Sequence, residues 1–226
     1  MIFEDIEIAI KKSNRKTVSI FVERDGSVSA RVPQSLSDDE IQAVLKRKTY
    51  QIFKNIAEWE QLNFKKTNRE YVNGQSFMYL GRNYRLKISE DAPKKLSLKN
   101  GYFILSDALK HKAKELFIEF YKEKLNEKIP PIIRKYKDQL DVQPKEIKIM
   151  ELQNRWASCT MKGNVNFHWK CAMAPIDVLN YIVAHELTHL IHPNHTQDFW
   201  NELDKIMPNY LGHIEWLKQN GAGMDL

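Results

Sequence analysis

The sequence predicts an α+β fold: a β-rich N-terminal part with one long helix, followed by a small domain built around a histidine-bearing helix. Two observations predict it. Short alternating segments separated by turn residues fill the first part of the chain, whereas apolar residues at helical spacing dominate the second. Four of the seven histidines also lie within eleven residues near the C-terminus. We therefore expect two regions, 1–106 and 107–226, divided near Ser106.

The length and composition are those of a globular protein. The chain has 226 residues, of which 42% are hydrophobic and 28% charged, enough to bury the core of one domain or two small ones. No run of eighteen apolar residues predicts a membrane helix, and Glu4 and Asp5 stand where a signal peptide would carry Lys or Arg. The two cysteines, Cys159 and Cys171, match no disulfide framework and no C-x-x-C zinc site. These features favour a reducing, cytoplasmic location.

The net charge of +6 is unevenly distributed. Residues 1–150 contain 30 Lys and Arg against 21 Asp and Glu, whereas residues 151–226 contain five against eight. A basic half of this kind can attract nucleic acid or a nucleotide. The simpler interpretation is a solvated surface, because the lysines are spread along predicted helices and turns.

The first part contains strands and a helix. Alternating residues predict strands at 17–22, 28–32, 84–88 and 102–105. Asp25-Gly26 is a hairpin turn signal between the first two. Ser37 with Glu40 three residues later forms a capping-box pattern, and apolar residues at helical spacing then extend one helix to about Leu62.

The second part is mainly helical. A helical pattern runs from Asp107 to Ile129, where Pro130-Pro131 is expected to end it before a further helix over 131–140. Short strands are predicted at 147–150 and 164–172, and helices at 176–190 and 197–206.

Residues 185–189 read H-E-L-T-H, the H-E-x-x-H pattern, on a segment whose apolar spacing predicts a helix. Positions four apart lie on one face, so His185 and His189 can direct one ring nitrogen each toward a common zinc ion. Glu186 is rotated by about 100° from His185, where it reaches a water molecule on the metal more easily than the metal itself. Glu186 is therefore the candidate general base.

A hydrolytic zinc site needs a third ligand and an open position. His195 is favoured, because Pro193 stops the helix and Asn194 tolerates the left-handed conformation that a sharp reversal can require. Glu202 on the following helix is an alternative carboxylate ligand. His192 is a weaker alternative, because seven helical residues separate it from His185 by about 10.5 Å along the axis.

Several stretches resemble the YgjP-like metal-dependent hydrolases, which are zincin-like metallopeptidase relatives of the WLM and SprT-type proteins. They are 155–159 (RWASC), 166–169 (NFHW), 185–189 (HELTH), 194–195 (NH), 199–200 (FW) and 207–208 (MP), with 15–20 (RKTVSI), 77–84 and 101–103 (GYF) in the first part. The resemblance covers about residues 12–219. It implies a zincin-like, minigluzincin-type domain in region 107–226, with zinc ligands at His185, His189 and His195 and a catalytic base at Glu186.

Two positions depart from the pattern of this family. Ala157 stands where a glycine is usual, which would be costly at positive φ, and His168 stands where an asparagine is more usual. The roles of Arg155, Ser158 and Cys159 stay open, and bracing of a strand beside the active helix is favoured over direct catalysis.

Strand 164–172 has two interpretations: an edge strand beside the active helix that pairs with an extended peptide, which would turn His168 toward substrate, or an interior strand. Tyr210 and His213 are candidate transition-state donors, although a surface role is favoured for both.

Three functions follow as hypotheses. The first is a zinc-dependent hydrolase of metallopeptidase type, in which metal-bound water attacks an amide and Glu186 takes its proton. The second is a metal-dependent nucleoside triphosphate pyrophosphohydrolase. Three imidazole ligands argue against it, because magnesium prefers oxygen ligands. The third is a nucleic-acid-associated module with structural zinc, which would need a fourth protein ligand.

Overall fold

A computed structural model describes residues 1–23, 26–63, 69–93, 95–152 and 155–226. The strands are β1 (Ile2–Phe3), β2 (Ile6–Ser13), β3 (Ser19–Val22), β4 (Val28–Pro33), β5 (Ser76–Tyr79), β6 (Arg82–Ser89), β7 (Ser97–Lys99), β8 (Tyr102–Ser106), β9 (Glu146–Met150), β10 (Ala157–Cys159) and β11 (Asn164–His168). The helices are α1 (Asp38–Arg47), α2 (Thr49–Asn63), α3 (Ala113–Leu140), α4 (Ile176–Thr188), α5 (Gln197–Ile206) and α6 (Tyr210–Asn220). The α+β prediction is confirmed. Among the described helices, none combines the length and the apolar character needed to cross a bilayer.

The chain divides into two compact units, Met1–Lys66 and Thr67–Leu226. In the first, a sheet of order β1-β2-β4-β3 shares one apolar core with α1 and α2. The predicted strands at 17–22 and 28–32 are present as the antiparallel pair β3 and β4. Of the turn predicted between them, Asp25 lies outside the described residues and Gly26 has φ +88°. Strands β1 and β2 were not predicted. They form a hairpin whose two turn residues, Glu4 and Asp5, have positive φ without the Gly or Asn that usually signals such a turn.

The helix predicted from Ser37 to Leu62 is two helices, so the single long helix was wrong. The capping box is present, with the Ser37 hydroxyl accepting from the Glu40 backbone N–H and the Glu40 carboxylate accepting from the Ser37 N–H. Lys48 ends α1 at φ −104° and ψ 10°. The Thr49 hydroxyl donates to the Lys46 carbonyl at 2.7 Å. Such a local bond to a carbonyl competes with the continuous helix and favours a break.

The second unit begins well before the predicted boundary at residue 106. Its first sheet has the order β5-β6-β8-β7, and one face of that sheet is covered by α3. The rings of Phe77 and Phe103 on the sheet lie 4.2 and 5.0 Å from the ring of Phe117 on α3. The sheet and the helix after residue 106 bury the same apolar surface, so the division falls before the sheet.

Helix α3 runs uninterrupted through Pro130 and Pro131, where the sequence predicts a break. The two prolines remove helical bonds to the carbonyls of Asn126 and Glu127. Both of these residues are exposed, so water can hydrate the freed carbonyls. Buried side chains lie before and after the two prolines, Ile129 among them. They pack into the same core and hold the whole helix in place.

The last sheet has the order β10-β11-β9, with β11 antiparallel to β10 and parallel to β9. β11 ends at His168, and a 3-10 turn over Trp169–Met173 follows it and leads into α4. Because β11 is the central strand, its edges are both occupied. The interpretation of strand 164–172 as an open edge for substrate was therefore wrong, and among the described residues the edge strands of this sheet are β10 and β9.

The two-residue turn between β5 and β6 is joined to the start of α4. The N–H groups of Leu80 and Gly81 donate to the carbonyls of Ala172 and Met173 at 2.9 and 2.8 Å. Gly81 has φ +77°, and a Cβ placed on it would lie 2.8 Å from Cγ of Pro175. The turn therefore lies directly against the residue that precedes α4.

We predict that Gly81→Ala destabilises the second unit more than Gly101→Ala. Gly101 has φ +79°, but a Cβ added to it would have no atom within 4 Å, so its substitution isolates the cost of the left-handed backbone, about 1–2 kcal/mol. Gly81→Ala adds a clash with Pro175, on the order of 1–3 kcal/mol more. Urea unfolding followed by tryptophan fluorescence measures both, since four of the five tryptophans lie beyond residue 67. Equal losses of stability would show that the contact with Pro175 is unimportant.

Candidate metal centre

Three histidine side chains converge at the C-terminal end of α4. His185 lies in its last turn, His189 follows the last helical residue, and His195 comes from the segment before α5. One ring nitrogen from each lies within 4.8 Å of the others. Nε2 of His185 and Nε2 of His195 are 3.0 Å apart. Zinc–nitrogen bonds at the tetrahedral angle separate two ligand nitrogens by about 3.3 Å, so this spacing suits one ion.

The other ring nitrogens have partners that determine which nitrogen can bind a metal. Nδ1 of His189 lies 3.0 Å from the carbonyl oxygen of His192, and because a carbonyl only accepts, Nδ1 carries the proton. Nε2 of His189 then presents a lone pair. Nδ1 of His185 lies 3.3 Å from the hydroxyl oxygen of Tyr181. This contact orients the ring with Nε2 toward the other two histidines.

Burial keeps these imidazoles neutral. Burial, with His189 and His195 beside it, lowers the pKa of His185 to about 3. Burial also lowers the pKa of His189 and the pKa of His195 below the ordinary value. At neutral pH all three rings are therefore in the form that binds a metal ion.

A short reversal brings His195 back to the helix. After α4 the N–H of His192 still donates to the Thr188 carbonyl at 2.9 Å, and the N–H of Thr196 then donates to the Asn194 carbonyl at 2.8 Å. Asn194 does not adopt the left-handed conformation that the sequence allows for it, because this compact turn does not require positive φ.

The structure brings together the favoured third histidine and neither of its alternatives. The side chain of His192 is outside the group of converging nitrogens, and only its carbonyl takes part. Glu202 instead forms an ion pair with Lys205 at 2.6 Å, one turn further along α5.

Phe199 of α5 packs against all three imidazole rings. Its ring centroid lies 4.9 Å from that of His185, 4.6 Å from that of His189 and 4.7 Å from that of His195. Phe199 is fully buried. Trp200 stacks on His195 at 5.4 Å. The first turn of α5 thus restrains the orientation of every ring in the cluster.

Glu186 is buried beside the cluster with an unsatisfied carboxylate. Its side chain is 6% exposed, and Oε2 has no hydrogen-bond partner among the described residues. Burial raises the pKa of Glu186 to about 8, opposed by the positive charge of Arg155. An oxygen without a partner in a buried position fits a site that holds a water molecule when a metal is bound. The three ring nitrogens could together hold a metal ion.

The cluster opens into a cleft of about 580 Å³. Its walls include the whole of β10, with Arg155 before the strand and Leu217 from α6. Backbone bonds to β11 involve Trp156 and Thr160, so alternation leaves the N–H and C=O groups of Ala157 and Cys159 directed away from β11. No described strand pairs with this outer edge of β10, and the strand itself lines the cleft.

The side chains of β10 brace the strand. The Ser158 hydroxyl accepts a hydrogen bond from the Asn166 amide on β11 at 3.3 Å. Burial, with the nearby Glu186, raises the pKa of the Cys159 thiol to about 11, so it stays protonated at neutral pH. Ala157 is not at positive φ, so replacing the usual glycine there carries no backbone strain.

The remaining candidates lie outside the cleft walls. His168 is fully buried, with Nε2 3.2 Å from the Glu151 carboxylate and Nδ1 accepting from the Lys170 N–H at 3.1 Å. His168 is not among the residues that line the cleft. Tyr210 stacks on Trp200 at 5.4 Å, and the ring of His213 lies 6.0 Å from that of Tyr181.

Tyr181 was not among the predicted site residues, although a usable signal was present in the sequence. Tyr181 precedes His185 by four residues, as His185 precedes His189, so all three lie on one face of α4. Its hydroxyl contacts His185, and its side chain lines the cleft.

Comparisons with known proteins identify the family of this chain. A family model for the YgjP-like metallopeptidase domain matches residues 16–220. The sequence has no match among curated proteins. Among solved structures, the metallopeptidase zymogen of Pyrococcus abyssi abylysin is 23% identical, with 39% of this chain and 90% of that chain covered, but its TM-score of 0.37 is too low to support a common fold. The family match spans most of the chain, and the chain therefore belongs to the YgjP-like family of metallopeptidase domains.

Proposed function

We propose that this protein is a zinc-dependent hydrolase that cleaves peptide amide bonds, with His185, His189 and His195 as ligands and Glu186 as general base. One observation carries the proposal: three neutral imidazoles converge within 4.8 Å beside a buried carboxylate oxygen without a partner, at the wall of an open cleft. A zinc ion bound there would supply a Lewis acid and lower the pKa of a coordinated water to about 7.

The donor set supports a hydrolytic site over a structural one. Structural zinc sites are closed by four protein ligands, whereas catalytic sites have three and keep one position open. Among the described residues, the converging group consists of the three histidines alone. Glu186 lines the same cleft and has a carboxylate oxygen without a partner among the described residues. The charge of a bound metal ion would favour the ionised form of this carboxylate, which would accept a proton from the attacking water and return it to the leaving group.

The edge of β10 favours peptides among the hydrolysable substrates. An extended peptide adds to a free sheet edge through its own backbone N–H and C=O groups. Ala157 and Cys159 have such groups on the edge of β10 away from β11, and both residues line the cleft. A nucleoside triphosphate would use none of these bonds, and Arg155 is the single cation among the described residues that line the cleft.

We predict that Glu186→Gln retains zinc and lowers kcat by about 10²–10⁴-fold, because the amide keeps the shape of the side chain but cannot take a proton. Glu202→Gln is the matched control, since Glu202 pairs with Lys205 on α5. It should retain both metal and activity. Peptide libraries read by mass spectrometry and a set of nucleoside triphosphates provide the substrates, and elemental analysis gives the metal content.

Full activity in Glu186→Gln would exclude the general-base role. Loss of zinc in Glu202→Gln would instead show that Glu202 is the third ligand. Turnover of nucleoside triphosphates with no turnover of any peptide would replace the amide hydrolase by the pyrophosphohydrolase.

We predict that His195→Ala loses zinc on dialysis, whereas His192→Ala retains it. The first change removes one of three ligands, and the second leaves the His192 carbonyl in place to orient His189. Both histidines are in the same reversal, so a general disturbance of that segment would affect both variants alike. Retention of zinc by His195→Ala would contradict the ligand assignment.

We expect Tyr181→Phe to bind zinc at least about tenfold more weakly, because His185 loses the hydrogen bond that orients it. Tyr210→Phe is the control: its ring still stacks on Trp200, and the same group is removed. Competition with a chromogenic chelator measures both affinities. Equal affinities in the two variants would show that the hydroxyl of Tyr181 does not support the site.

A further inference from the structure

The sheet β5-β6-β8-β7 has a second face that α3 does not cover. Side chains alternate along each strand, and the apolar face contains Phe77, Leu86 and Phe103, all fully or almost fully buried. The positions between them form the outer face: Met78, Asn83, Arg85, Lys87, Ser97, Lys99, Tyr102 and Ile104. Five of these eight are exposed.

The outer face is basic and contains no compensating acid. The four strands together include no Asp or Glu, and the nearest acids along the chain lie beyond the strand ends, Glu90 and Asp91 after β6 and Asp107 after β8. Arg85, Lys87 and Lys99 form no ion pair with any residue that the structure describes. Three solvated cations therefore lie on one pleated surface without a partner from the described part of their own chain.

An exposed aromatic ring lies in the middle of these cations. The strand register pairs Tyr102 with Arg85 on one side and Lys99 on the other. Neighbouring strands are about 4.8 Å apart, so the two cations flank the tyrosine in one row across the sheet. Tyr102 is 44% exposed, although it lies within a strand. Ile104, in the next row, pairs with Lys87.

We infer that the outer face, defined by Arg85, Lys87, Lys99 and Tyr102, binds single-stranded nucleic acid. Unpaired Arg and Lys residues attract phosphates, and an exposed aromatic ring among them gives a base a surface to stack on. The pleated rows place these two kinds of group side by side, as the repeating phosphate and base of a single strand require. Part of the excess positive charge of residues 1–150 lies on this surface.

Other polyanions match this face less well. An acidic peptide or an anionic bilayer would satisfy the cations but would leave the Tyr102 ring without a stacking partner. Duplex nucleic acid keeps its bases stacked internally and offers no free base to that ring. The aromatic residue at the centre of the row is what selects the single strand.

Binding is measured by fluorescence anisotropy with a fluorescein-labelled oligothymidylate of fifteen nucleotides at several KCl concentrations. The full chain should bind, and its affinity should fall as salt rises. Arg85→Gln/Lys99→Gln should reduce the slope of log K against log salt by about 1.4, since each phosphate contact on a single strand accounts for about 0.7. Lys112→Gln/Lys114→Gln removes two exposed charges outside the face and should leave the slope unchanged.

Tyr102→Ala should weaken binding about tenfold without changing the salt slope, because stacking does not involve counterions. Tyr102→Phe should restore it. Tyr50→Ala is the matched control, as Tyr50 is 80% exposed on α2 and outside the face. The readout involves no hydrolysis, so its outcome is independent of the metal centre.

Three results would overturn the inference. One is the absence of binding at low salt. A second is equal weakening by the double variants inside and outside the face, which would place the contact elsewhere. The third is competition by polyglutamate or by phosphatidylserine vesicles as effective as that by unlabelled oligothymidylate, which would identify the face as a general anion surface.

Discussion

The metal centre depends on how three imidazole rings are held against one phenylalanine. Phe199 touches the rings of His185, His189 and His195, and it comes from a helix that follows directly on the reversal carrying His195. The helical period alone aligns the first two rings. The His195 ring joins the other two because α5 packs against α4. The burial of Phe199, an apolar side chain, thus positions a polar site.

A chain of packing contacts extends from the first sheet of the second unit to α4. The hydroxyl of Tyr121 on α3 donates a hydrogen bond to the Met78 carbonyl on β5 at 2.7 Å. The ring of Tyr121 stacks on Trp169, just before α4. The turn after β5 bonds to the same segment and meets Pro175. The sheet that sequence patterns assign to the N-terminal region thus supports the active helix directly. Its buried face performs this structural task, which leaves its outer face available for another role.

The cleft combines a buried carboxylate with a strand edge that no described strand pairs with. Burial raises the pKa of Glu186, and the positive charge of Arg155 opposes that shift. β10 is short and is braced by β11 through Ser158 and Asn166. Its free backbone groups therefore keep a fixed position relative to α4. The proposed peptide hydrolysis would use this edge to position an extended substrate.

Local patterns in the sequence determined the α+β class, the capping box at Ser37, the strands β6 and β8, and the placing of His185, Glu186 and His189 on one helix. Each of these follows from contacts between residues close in the chain, where period and capping are decisive. Only the tertiary structure decided that α3 continues through two prolines, that β11 is an interior strand, and that His195 rather than Glu202 joins the other two histidines. Those outcomes depend on packing against elements that are distant in the sequence. The periodicity of a segment shows which of its faces is buried but not which distant element covers that face.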